Sequence, residues 1–180
     1  MASKMECVLV TGANAGLGFE TCKQMATDHG VAKIILACRN QTKADAAVES
    51  LAELTGKPAS TFEVLILDAG DVASCRAAAE ALTTPLNGLV LNAGGMAGFT
   101  GKLTADGVTD SFAVNVLGQA VFLEAVLAAG KLADGARVVY ASSEAARGIS
   151  LMKMACPVYE KRDADCVASF IDGRNVSAVL

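Results

Sequence analysis

The chain has 180 residues, of which 53% are hydrophobic, with a formal net charge of −4 and a pI near 5.0. This length and composition are sufficient for one domain with a substantial core. The acidic balance provides no broad basic face, which argues against a nucleic-acid partner.

The first predicted strand covers residues 6–10, a short apolar stretch rich in valine. The turn Thr11-Gly12-x-x-x-Gly16-x-Gly18 follows it, and residues 19–26 then have apolar side chains at helical spacing. Gly12 allows a tight turn, Gly16 leaves room for a ligand beside the backbone, and Gly18 lets helix and sheet pack closely. The first amides of the helix and its positive dipole end would then face a crevice.

This strand–turn–helix unit predicts a site for the pyrophosphate of a nucleotide, with an ordinary tight turn as the alternative. The residues predicted to contact the cofactor here are Gly12, Asn14, Ala15, Gly16, Leu17 and Gly18.

Strand and helix patterns continue to alternate along the chain. Further strands are predicted at residues 33–38, 62–68, 86–92 and 136–142, and helices at 41–54, 72–82 and 106–132. Asp71 is predicted to cap the helix at 72–82. Such alternation gives right-handed βαβ units. We therefore expect an α/β fold, a Rossmann-type doubly wound parallel sheet of about five strands with helices on both faces. Residues 1–148 would form this domain, and residues 149–180 an irregular C-terminal segment.

The polar residues of interest fall at the carboxyl ends of the predicted strands, where ligands bind in such sheets. Arg39 follows the second strand and could hold a 2′-phosphate, which favours NADP over NAD; a surface arginine is the alternative. Asp68 could accept from an adenine amino group or cap a helix. The small residues of Asn92-Ala93-Gly94 would let the backbone approach the cofactor.

The sequence does not favour a disulfide-rich protein, a metalloprotein, a serine hydrolase or a membrane protein. The six cysteines are scattered without a Cys-x-x-Cys pair, and four of them fall inside apolar strand or helix patterns, so we expect buried reduced thiols rather than disulfides or zinc ligands. His29, the only histidine, has no nucleophile placed beside it. No leader segment is recognisable and no window of about twenty residues lacks polar interruptions, so we expect a cytoplasmic protein without a membrane span.

Four motifs in order resemble the short-chain dehydrogenase/reductase family. They are the glycine turn, Leu91-Asn92-Ala93-Gly94, Asn115-Val116-x-Gly118 and the pair Ser142-Ser143. The resemblance covers residues 6 to about 148. The stretch Ala37-Cys38-Arg39-Asn40 looks like the NADP(H)-preferring members, including retinol-dehydrogenase-like and protochlorophyllide-reductase-like enzymes.

The resemblance implies an NADP(H)-dependent oxidoreductase of carbonyl or alcohol groups. Arg39 and Asn40 would then lie beside the cofactor, and Asn92, Ala93 and Gly94 would flank its adenosine ribose. Asn115 would match the asparagine that holds a water in the proton relay. Ser143 would bond the substrate oxygen, with Ser142 as the alternative.

The family's Tyr-x-x-x-Lys pair is missing from the chain. Tyr159 is the only tyrosine after Ser143, and Asp163 stands where the lysine would be, which would raise the phenol pKa. Tyr159 is therefore a weak catalytic candidate. We expect a truncated form with impaired catalysis, whose open fifth strand could favour a homo-oligomer or an edge-strand partner. The alternative is a non-catalytic NADP(H)-binding regulatory or sensing module.

Overall fold

The computed structural model describes residues 5–95 and 100–142. One sheet holds five strands in the order β3-β2-β1-β4-β5, and every neighbouring pair is parallel. The strands are β1 (Cys7–Thr11), β2 (Lys33–Cys38), β3 (Phe62–Ile66), β4 (Leu86–Leu91) and β5 (Leu132–Tyr140). This arrangement confirms the predicted fold class.

The helices divide between the two faces of the sheet. They are α1 (Gly16–Thr27), α2 (Gln41–Thr55), α3 (Val72–Ala81) and α4 (Asp110–Ala128), and a 3₁₀ turn covers Ala59–Thr61. Side chains alternate between faces along β1, because successive strand residues point to opposite sides. Val8 and Val10 lie in the core that contains α1 and α2, whereas Leu9 lies in the core that contains α3 and α4.

Side-chain caps explain where two helices begin. The Asn40 side chain accepts a hydrogen bond from the Lys43 amide at 2.9 Å and caps α2. Asp71 caps α3, as predicted, by accepting from the amides of Ala73 and Ser74. Each cap satisfies amides that have no partner inside the helix.

The region from α4 to β5 differs from the prediction of one helix over 106–132 and a strand over 136–142. The helix begins at Asp110, ends at Ala128, and has a π-helical stretch over Ala113–Leu117. Gly130 then adopts a left-handed φ of 63°, which favours termination of the helix. Leu132 already pairs with Leu86, and the register between the two strands shifts before Gly88.

Helix α4 is long and apolar enough to cross a membrane by length and composition, with a mean hydropathy of 1.6. In this fold it packs against the sheet, where Phe122 and Val126 are fully buried. Asn115 and Gln119 are also buried and form hydrogen bonds inside the protein. These contacts favour a core helix, and the expected absence of a membrane span stays a prediction.

Strand β5 forms one edge of the sheet. Within residues 5–95 and 100–142 it pairs with β4 alone, and Val138, Val139 and Tyr140 near its end are exposed. A partner for this edge, as the sequence suggested, stays a prediction.

Candidate functional site

A cleft of about 740 Å³ opens at the carboxyl ends of the strands. The turn after β1, the end of β2, the segments after β3, β4 and β5, and the first part of α4 all contribute to it. Its lining residues are Gly12, Asn14, Ala15, Gly16, Leu17, Ala37, Cys38, Arg39, Leu67, Asp68, Ala69, Gly70, Asn92, Ala93, Gly94, Gly95, Thr104, Asp110, Val114, Asn115, Ala141 and Ser142.

The turn after β1 depends on three glycines with different surroundings. Gly12 has a φ of 67°, and a Cβ there would lie 2.9 Å from the Cα of Ala93. Gly18 lies outside the cleft lining, and a Cβ there would come within 2.5 Å of the Gly12 carbonyl oxygen. Gly16 has a φ of 56° with open space where a Cβ would be. Two glycines thus permit close packing, and the third leaves the cleft open.

The N-terminus of α1 is available to a ligand. Its N-cap residue, Ala15, makes no side-chain capping bond, in contrast to the caps of α2 and α3. The first amides of a helix have no partner inside the helix, and the helix dipole adds a positive potential there. This end of α1 can therefore bind an anion in the cleft.

A buried polar network joins the end of β1 to the end of β4. The amides of Asn92 and Ala93 both donate to Thr11 Oγ1 at 2.8 Å, and Asn92 Nδ2 donates to the Thr11 carbonyl at 3.0 Å. The Thr11 hydroxyl donates to Gln119 Oε1 at 3.1 Å, and Gln119 Nε2 donates to the Ala93 carbonyl at 2.9 Å. The network fixes the position of the segment after β4.

Sequence reasoning did not assign a role to Thr11 or Gln119. The available signal was the pair Asn115 and Gln119, two amides one helical turn apart on a largely apolar helix. Polar side chains at that spacing share one helix face and need partners once that face is buried.

Asn115 holds the wall of the cleft through both atoms of its side-chain amide. Its Oδ1 accepts from the Gly95 amide at 2.8 Å, and its Nδ2 donates to the Gly95 carbonyl at 3.1 Å. A Cβ on Gly94 would lie 2.6 Å from the same Oδ1. The structure therefore places Asn115 in the cleft, and its part in a proton relay stays a prediction.

The residues predicted to contact the cofactor at the end of β2 have different surroundings in the structure. Arg39 is exposed, lines the cleft, and forms no ion pair within the described part of the chain. Cys38 is buried beside it, and burial raises the pKa of its thiol. The Asn40 side chain caps α2, and Asn40 is not part of the lining.

Asp68 forms a local turn after β3. Its Oδ1 accepts from the Gly70 amide at 2.8 Å, and its own amide donates to Ser74 Oγ at 3.0 Å. The alternative role as a helix cap is wrong for this residue, because Asp71 provides the cap of α3. Asp68 lines the cleft, and adenine recognition by it stays a prediction.

The predicted catalytic residues are only partly described. Ser142 lines the cleft, but Ser143 and Tyr159 lie outside the described residues, as does the whole segment 149–180.

Cys7, Cys22, Cys38 and Cys75 are buried free thiols, as predicted. In the described ranges no group of three His, Cys, Asp or Glu residues could hold a metal ion.

Comparison with known proteins gives consistent matches. A family model described as "short chain dehydrogenase" matches residues 6–155. The chain is 40% identical over 143 residues to the WW domain-containing oxidoreductase of Homo sapiens, covering 78% of this chain and 33% of that protein. It is 40% identical over 145 residues to a short-chain dehydrogenase/reductase of Armillaria gallica, covering 77% of this chain and 45% of the relative. The chain thus spans less than half the length of these relatives.

Solved structures have the same fold. An uncharacterised protein from Mycobacterium paratuberculosis superposes with a TM-score of 0.64 at 33% identity, covering 78% of this chain and 47% of that one. A blue fluorescent protein from a metagenomic library, solved in complex with NADPH, superposes with a TM-score of 0.61 at 27% identity. That match covers 79% of this chain and 57% of the fluorescent protein.

Proposed function

The chain belongs to the short-chain dehydrogenase family, and on that premise we propose that it binds NADP(H) in the cleft as part of an oxidoreductase acting on a carbonyl or alcohol group. One observation carries the proposal. The uncapped N-terminus of α1 lines the same cleft as Arg39, which forms no ion pair within residues 5–95 and 100–142, so amide donors and a guanidinium are both available to phosphates. The family binds NAD(P)(H); the choice of NADP rests on Arg39.

The cofactor's adenosine half would lie between the ends of β1, β2 and β3. The first amides of α1 would bind the pyrophosphate, and Gly16 leaves space for it. Arg39 would hold the 2′-phosphate, since its fork of donors suits bidentate phosphate contact. Asp68 would accept from the adenine amino group through Oδ2, because its Oδ1 already accepts from Gly70.

The other half of an extended dinucleotide would reach the ends of β4 and β5. There the Asn92–Gly95 segment, Asn115, Ala141 and Ser142 line the cleft. When bound, NADP(H) supplies the hydride chemistry. Hydrogen bonds with Thr11, Gln119 and Asn115 hold the segment after β4 in place, and Ser142 or Ser143 would form a hydrogen bond with the substrate oxygen.

Titration of the chain with NADPH and NADH tests the cofactor. In Arg39→Gln we expect the Kd for NADPH to rise about 10- to 100-fold, because a charge-assisted contact contributes about 1.5–3 kcal/mol. The Kd for NADH should change little. Arg76→Gln removes the same charge outside the cleft lining and should change neither Kd. Equal loss of both cofactors in Arg39→Gln would refute NADP preference.

Turnover is a separate measurement. Oxidation of NADPH in the presence of a panel of aldehydes and ketones, followed by absorbance, would establish the oxidoreductase activity for this chain. Tight NADPH binding without any substrate-dependent oxidation would support the binding-module alternative for this polypeptide.

A further inference from the structure

Tyr140 connects β5 to α4 beside the cleft, and the proposed function assigns it no role. Its phenol Oη donates to the main-chain carbonyl oxygen of Asn115 at 2.5 Å. Tyr140 pairs in register with Leu91, whose side chain lies in the core with α3 and α4, so both side chains point to that face of the sheet. Tyr140 remains 44% exposed, and this hydrogen bond is the polar contact of its side chain with the described part of the chain.

The accepting carbonyl lies inside the π-helical stretch of α4. There the Gly118 amide reaches back five residues to the Ala113 carbonyl, so the turn is wider than in an α-helix. Two consecutive carbonyls of this stretch accept from side chains. Gln119 Nε2 donates to the Val114 oxygen at 3.3 Å, and Tyr140 donates to the Asn115 oxygen. Side-chain donors of this kind stabilise an interrupted helical ladder.

The same residue, Asn115, forms the wall of the cleft with its side chain. Its amide makes both hydrogen bonds to Gly95, and Gly94 packs closely against it. Tyr140 therefore holds the backbone of Asn115, and Asn115 holds the segment after β4. Ala141 and Ser142, which follow Tyr140 directly, line the cleft as well.

We infer that Tyr140 is a positioning residue for the nicotinamide half of the cleft. Its phenol keeps the π-helical turn open at Asn115, and this backbone position aims the Asn115 amide at Gly95. The adenosine half, built from the turn after β1 and the ends of β2 and β3, does not depend on this contact. The identity of the ligand rests on the proposed function, whereas the role of Tyr140 in positioning Asn115 against Gly95 does not.

The variant Tyr140→Phe removes only the hydroxyl. We expect its Kd for NADPH to rise about 3- to 10-fold, as for loss of one positioning hydrogen bond. Its Kd for 2′,5′-ADP, which represents the adenosine half alone, should be unchanged. Val138→Ala, on the same face of β5, is the matched control and should change neither Kd.

Amide hydrogen exchange provides a readout that needs no ligand. The Gly95 amide donates a hydrogen bond to Asn115 Oδ1, and in Tyr140→Phe its hydrogen should exchange faster than in the unmodified chain. The Gly12 amide, which donates to the Ala37 carbonyl at 2.8 Å in the other half of the cleft, should not. The inference would be overturned if the Gly95 amide exchanged at an unchanged rate, or if the Kd for NADPH stayed the same. It would also be overturned if both amides exchanged faster to the same extent and 2′,5′-ADP binding were lost. If the unmodified chain binds neither probe, the proposed function fails, and Gly95 exchange alone decides the role of Tyr140.

Discussion

Replacement of Gln119 by methionine tests the buried network that joins β1, β4 and α4. Gln119 is 1% exposed and uses both ends of its side-chain amide. Nε2 donates to the carbonyls of Ala93 and Val114, and Oε1 accepts from the Thr11 hydroxyl. Methionine has a similar length and is apolar, so the substitution removes these three contacts with little change in volume.

The expected cost follows from the groups left behind. The Ala93 and Val114 carbonyls lose this donor, and each buried polar group without a partner costs about 1–3 kcal/mol. The Thr11 hydroxyl can instead donate to the Val90 carbonyl, which lies 3.5 Å away, so its loss is smaller. Apolar burial of methionine offsets part of the total. We expect the free energy of unfolding to fall by about 2–4 kcal/mol and Tm by about 5–12 °C.

Urea unfolding of the full chain measures this change as a lower midpoint at constant slope. Gln24→Met is the matched control, because Gln24 is an exposed residue of α1 and should change stability by less than about 0.5 kcal/mol. In the double variant with Thr11→Val, the combined loss should be smaller than the sum, since both substitutions remove one shared contact. A Gln119→Met protein as stable as the unmodified chain would refute the reasoning.

Two further predictions concern the cleft wall and the buried thiols. Gly94→Ala should lower Tm and weaken NADPH binding, because its methyl group would lie 2.6 Å from Asn115 Oδ1. In the control Gly95→Ala the methyl group meets no atom within 4 Å, so Tm should stay unchanged. Equal Tm values for the two variants would contradict this prediction. Burial raises the pKa of Cys22 to about 12 and that of Cys75 to about 11, from an ordinary value of 9.0. Above pH 9.0 the unfolded chain releases these protons and the folded chain retains them, so stability should fall as the pH rises toward 12. Urea midpoints across this range should fall less steeply in Cys22→Ala, and parallel curves would count against the assignment.

The sheet was predictable because its strands are short apolar runs separated by amphipathic helices. The predicted bounds of β2 agree with the structure, and Asp71 was identified as a cap from its position before an apolar run. The boundary between α4 and β5 was not predictable in the same way. Residues 129–135 combine helix-forming residues, such as Ala129, Leu132 and Ala133, with two glycines, and the pairing of Leu132 with Leu86 decided where the strand begins.

The candidate site was partly predictable for a similar reason. Parallel strands bring their carboxyl ends to one edge, so residues that follow strands, such as Arg39, Asp68 and Asn92, could be expected in one cleft. Asn40 illustrates the limit of that argument. It also follows a strand, but its side chain forms a local hydrogen bond at the start of α2, and position in the sequence does not distinguish the two uses.

The sequence by itself determined the alternation of strands and helices, the glycine turn and the side chains that follow each strand, because these depend on local periodicity and local backbone freedom. Only the tertiary structure decided the contacts of Thr11 with Gln119, of Asn115 with Gly95 and of Tyr140 with Asn115. Those contacts join residues that the packing of the sheet and helices brings together. Hydrogen bonds in a core depend on the distance and angle between donor and acceptor, and local sequence patterns do not reveal these for residues far apart in the chain.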